Sequence, residues 1–164
     1  MSDFFTKDFL DWLATRLDKD AEEKAAIASN PFMEAFRQAL QSHRDQELIQ
    51  AAYGYQQVIQ LGDPRSEKHF VAIALNNLAW IFLTCKTLYN KEEALRLAFR
   101  ANQFRDEMDP ETLHTLAECY FQKGDYEKAL ATLKKAIEQC EDFVYKQKYL
   151  LPREKAFQRY VTER

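Results

Sequence analysis

Glu111-Thr-Leu-His-Thr-Leu-Ala-Glu-Cys-Tyr-Phe-Gln-Lys-Gly-Asp-Tyr-Glu-Lys-Ala-Leu-Ala-Thr-Leu-Lys-Lys-Ala-Ile137 decides the fold. Leu113, Leu116, Ala117 and Tyr120 recur at helical spacing, and so do Ala129, Leu133 and Ala136. Gly124-Asp125 lies between the two runs and supplies a turn. Two antiparallel helices approach closely only where small side chains occupy the crossing of their axes. Ala117, Ala129 and Ala136 fill that role, and the larger residues fill the gaps around them.

The same grammar stands 38 residues upstream, an offset read from Ala79 against Ala117. Leu75 then matches Leu113, Leu78 matches Leu116 and Phe82 matches Tyr120; Ala94, Ala98 and Ala101 match Ala129, Leu133 and Ala136. Such self-similarity marks an internal repeat. The upstream copy is three residues longer between its helices, Ala79 to Ala94 against Ala117 to Ala129. A third, degenerate copy is expected at 30–64, with Ala39, Ala51, Tyr55 and Val58 in the corresponding places. There Asn30-Pro31 opens a helix running to about Ser42, and another runs from about Gln46 to Leu61. Gly62-Asp63-Pro64 is expected to end it with a left-handed glycine. At the amino end Phe5, Phe9, Trp12, Leu13 and Leu17 predict an amphipathic helix, capped by Ser2 or Asp3, that packs against the repeats. At the other end Phe143, Tyr145, Tyr149 and Leu150 predict a further helix that restarts at Pro152 and caps the last pair.

Numbered from Pro110, the last copy resembles the tetratricopeptide repeat family. Leu113, Leu116, Ala117, Tyr120, Ala129, Leu133 and Ala136 stand at that family's positions 4, 7, 8, 11, 20, 24 and 27. The resemblance implies an all-α fold, a short right-handed solenoid of about three helix pairs with flanking helices. Three segments follow: an amino-terminal helix and connector at 1–29, repeats at 30–141 (30–64, 72–108 and 110–141), and a cap at 142–164. It also implies a peptide-binding groove lined by the first helix of each pair. Carried over by position, the lining is Phe36 and Leu40 from the first copy, then Ile73, Asn76, Trp80 and Leu83 from the second. His114, Glu118 and Phe121 come from the third. Asn77 matches an asparagine of the branch that grips terminal carboxylates. Phe36, Leu40, Glu111 and Thr115 stand where that clamp has Lys, Asn, Lys and Arg, so a carboxylate clamp is not expected. The three-repeat plan is also similar to bacterial secretion chaperones, which hold apolar client segments. The groove is apolar, and a bare patch of that size asks for a covering partner.

Composition agrees with helix and offers little chemistry. Only three Gly and four Pro occur in 164 residues, too few to punctuate a protein of many short strands. The net charge of −3 argues against a general polyanion binder. Three cysteines cannot all pair; Cys85, Cys119 and Cys140 sit in apolar helical patterns and read as buried thiols in a reducing, cytoplasmic setting. No glycine-rich nucleotide loop, Cys-x-x-Cys or His-Glu-x-x-His occurs. His114 and Glu118, four apart on one face, read as a polar pair rather than metal ligands. The expectation is therefore no catalysis, no metal, no cofactor, and a protein or peptide as partner, with a homodimer left open. The alternative is the basic, aromatic carboxyl end: Lys146, Lys148, Arg153, Lys155, Arg159 and Arg164 are interleaved with Phe143, Tyr145, Tyr149, Phe157 and Tyr160. Such a helix suits nucleic acid or an anionic membrane. Both are disfavoured, because periodic aromatics on a helix usually mark its core side.

Overall fold

A computed structural model describes residues 30–163, and among these there are helices, turns and no strand. The expected amino-terminal amphipathic helix lies outside the described residues. The chain divides into two compact units, one ending at Leu78 and one beginning at Ala79.

The first unit holds α1 (Pro31–Arg44), α2 (Leu48–Leu61) and the start of α3 (Lys68–Thr84). Asn30 caps α1, its side chain accepting from the Phe32 amide at 3.0 Å, and Pro31 occupies the first turn, where no amide partner is lost. The helix ends through Gln46 in the left-handed region (φ 61°), which brings the Glu47 amide back to the Ser42 carbonyl at 2.8 Å. Helices α1 and α2 pack on each other. Ala39, Ala51, Tyr55 and Val58 are all buried. Gly54 faces Ala39 so closely that a Cβ on it would stand 2.8 Å from the Ala39 Cβ.

Gly62 corrects one expectation. It ends α2 with φ −72° and ψ 132°, an extended rather than left-handed backbone. Glycine is needed there for room: a Cβ would come within 2.5 Å of Val71 Cγ2 and 2.8 Å of Phe32 Cε2.

The second unit begins within α3 and continues through a three-residue 3₁₀ turn (Lys86–Leu88) to α4 (Lys91–Phe104), α5 (Pro110–Lys123) and α6 (Tyr126–Gln139). A short α-helical turn (Phe143–Tyr145), a π-helical turn (Lys146–Leu150) and α7 (Leu151–Thr162) follow. Asp109 caps α5 through the amides of Glu111 and Thr112 at 3.1 and 3.0 Å, with Pro110 in the first turn. Here the left-handed glycine is Gly124 (φ 87°), which lets the Asp125 amide reach the Tyr120 carbonyl at 3.0 Å. The packing alanines Ala79, Ala94, Ala101, Ala117, Ala129 and Ala136 are fully buried. Leu150 and Phe157 from the terminal run join the core of α5 and α6, also fully buried, each side chain worth roughly 1.5–3 kcal/mol in area removed from water.

Candidate functional site

Each unit presents its inner-face residues separately. In the first, Phe36 stacks edge-on to Phe70 with centroids 5.1 Å apart and is fully buried; Leu40, Ile73, Asn76 and Asn77 are buried as well. Asn77 Nδ2 donates to the Tyr55 hydroxyl at 3.0 Å, and that hydroxyl meets His43 Nδ1 at 3.0 Å. The Tyr55 oxygen accepts from Asn77 and so is free to donate its own proton to a neutral His43. Burial lowers the His43 pKa to about 4 and pushes the Tyr55 hydroxyl far above its ordinary range, although the Asn77 bond pulls the latter down. This three-membered network ties α1, α2 and α3 together by polar contacts that an apolar core could not direct. Among the described residues the Asn76 Oδ1, which is buried, has no hydrogen-bond partner.

In the second unit Trp80 is half-buried and its ring lies 6.3 Å from that of His114, while Leu83 is buried. His114 Nδ1 meets the Tyr145 hydroxyl at 2.9 Å, and His114 Nε2 lies 3.6 Å from Glu118 Oε1. Glu118 is buried and accepts from Arg153 twice, Nε to Oε1 at 2.5 Å and Nη2 to Oε2 at 2.6 Å. Burial alone would raise the Glu118 pKa; His114 and Arg153 outweigh it and hold the carboxyl below its ordinary range. Phe121 stacks on Phe157 with centroids 4.4 Å apart and planes 5° off parallel, and Tyr160 meets it edge-on at 4.9 Å. Glu111 sits at the start of the same face, its pKa pushed up to about 8 by burial and by the nearby Asp109 and Asp142 carboxylates.

Of the ten lining residues, eight are buried and only Trp80 and Phe121 keep partial exposure. His114, Glu118 and Phe121 are met by residues 143–162. Sequence reasoning paired His114 with Glu118 but missed Tyr145, Arg153 and the Phe157 ring as their partners. One signal was present: Tyr145, Tyr149, Arg153 and Phe157 follow at four-residue spacing, which sets an arginine within an aromatic stripe.

Burial, with the Glu118 charge beside it, pushes the Cys119 thiol up to about 12, so it is no nucleophile near neutral pH. Burial also raises the Cys140 thiol. Among the described residues no group of three His, Cys, Asp or Glu side chains could hold a metal ion, and no helix is long and apolar enough to cross a membrane.

Residues 110–143 match the family model of the tetratricopeptide repeat, and no curated protein matches the chain. The match begins at Pro110, the residue from which positions 4 to 27 were counted. It spans α5, its left-handed glycine and α6, the pair whose alanines are buried as that family's spacing requires. Residues 110–143 are thus a tetratricopeptide repeat, set among described residues that form helices packed in adjacent pairs.

Proposed function

We propose that this protein is a non-enzymatic scaffold that binds a peptide or helix of another polypeptide through the inner faces of its helix pairs. Repeats of this family generally mediate contact between proteins. The finer reading covers repeats at 30–64 and 72–108, with Phe36, Leu40, Ile73, Asn76, Asn77, Trp80, Leu83, His114, Glu118 and Phe121 as the lining. It is supported chiefly by Trp80, a large aromatic at an inner position that keeps partial exposure where a core residue would be covered. Aromatic anchors of this kind carry much of the energy in protein interfaces. An adaptor or chaperone-like role in the cytoplasm fits the thiols, two of them buried and one half-buried, and none in a disulfide.

Binding to nucleic acid or anionic lipid through the carboxyl-terminal helix is the weaker reading. Arg153 is engaged with Glu118 and Phe157 with Phe121, which removes a cation and a ring from the patch. A library of displayed helical peptides, selected on the immobilised full chain, tests the choice. Selected peptides should lose binding in Trp80→Ala and change little between about 50 and 200 mM salt. Peptides that ignore Trp80→Ala, fall steeply with salt and need Lys146, Lys148, Lys155 and Arg159 would overturn the groove reading.

A further inference from the structure

Three inner-face residues of α5, His114, Glu118 and Phe121, stand one helical turn apart, and each is met by a different side chain of residues 143–162. Glu118 needs this most, since a carboxylate buried in a protein interior without a counter-charge costs several kcal/mol. Arg153 answers with both arms of its fork, a geometry lysine cannot copy. Its guanidinium also lies 5.4 Å from the centre of the Phe121 ring, which Phe157 and Tyr160 cover from two sides. The backbone of the terminal run packs chiefly on α6, so it reaches α5 through these side chains.

The register of the run is adjusted to the task. In a continuous α-helix the eight residues from Tyr145 to Arg153 would turn about 800°, leaving the two side chains about 80° apart. The π turn at Lys146–Leu150 takes up one extra residue, which cuts that angle to about 20°. Tyr145 and Arg153 thereby aim at His114 and Glu118 together. A helix that merely covered an apolar end would need neither the fork nor the re-registration.

We propose that the inner face of α5 is a receptor for an amphipathic helix bearing an arginine with aromatic rings four and seven residues further on. Residues 143–162 hold that seat in cis, and a partner helix of the same pattern binds by displacing them. This rests on the scaffold reading above and names the partner's chemistry and its regulation.

A fluorescent synthetic peptide spanning residues 142–163 tests it without any foreign partner, by anisotropy against the full chain. The wild-type chain should take up almost none, because its own run competes at millimolar effective concentration. The full chain carrying Arg153→Ala and Phe157→Ala should bind the wild-type peptide at least about 100-fold tighter than wild type does. That gain should vanish when Glu118→Gln is added, or when the peptide carries Arg153→Lys. A folded double variant that binds no peptide, or binds the Arg153→Lys peptide equally well, would make the run a plain structural cap and overturn the proposal. If the double variant loses its helical circular dichroism, Arg153→Ala alone decides by amide hydrogen exchange. Faster exchange confined to 143–162, slowed by added peptide, supports the receptor; uniform acceleration across the second unit, or none, refutes it. Peptide uptake here with no binder from the displayed library would sink the scaffold reading and leave the seat in cis standing. The reverse outcome would do the opposite.

Discussion

Gly54→Ala is a perturbation for which two effects oppose each other and the structure decides between them. Gly54 lies inside α2, where replacing glycine by alanine ordinarily stabilises by about 1 kcal/mol. Here the added Cβ would stand 2.8 Å from the Ala39 Cβ and 3.0 Å from the Ala39 Cα, where ordinary contact begins at 3.4 Å. Ala39 has no rotamer with which to yield, so α1 and α2 must move apart and loosen the contacts of the buried Tyr55 and Val58. Overpacking of this kind costs roughly 1–3 kcal/mol, leaving a net loss of about 0–2 kcal/mol. In thermal unfolding followed by circular dichroism, each kcal/mol should lower the midpoint by about 2–4 °C for a chain of this size. A variant more stable than the parent would show that the two helices do not approach at Ala39, and the register of the first helix pair would be wrong.

Ala117→Leu should destabilise by about 1–3 kcal/mol in urea unfolding, because Ala117 is fully buried where α5 packs on α6; a neutral result would refute that close crossing. His43 makes stability depend on pH. Its pKa is about 4 when folded against 6.5 unperturbed, so its contribution is complete above pH 6.5 and lost as pH falls towards 4. From this group alone, unfolding free energy at pH 5 should be about 2 kcal/mol below that at pH 8, and His43→Gln should flatten that slope; an unchanged slope would mean that His43 is not held neutral.

The helix pairs were legible because their determinants are local. An alanine at each crossing and a Gly-Asp turn lie within a few residues of what they organise, and Asn30 and Asp109 cap the helices that follow them directly. Gly62 was misread because a glycine announces a special need without saying which. Its neighbours Phe32 and Val71 come from other helices, and only their packing reveals that space and not dihedral freedom is wanted. The partners of the inner face were less legible still. Arg153 lies 35 residues from Glu118, and the π turn between Tyr145 and Arg153 shifts the very periodicity from which a facing stripe is read. His114 and Glu118 were visible as a pair, four residues apart on one face; what completes them was announced only by the four-residue stripe of Tyr145, Tyr149, Arg153 and Phe157.

The longer link of the middle segment has a practical consequence. Its three additional residues match in number the single 3₁₀ turn Lys86–Leu88, held by the Leu88 amide on the Cys85 carbonyl and closed by the Asn90 amide on the Phe82 carbonyl at 2.9 Å. Ala79 and Ala94 on either side remain fully buried, so the joint lengthens without disturbing what it connects. A connection that has already absorbed a whole turn is a natural port for engineering. A reporter dye, an epitope or a short affinity tag grafted between Lys86 and Tyr89 should leave both flanking helices in register.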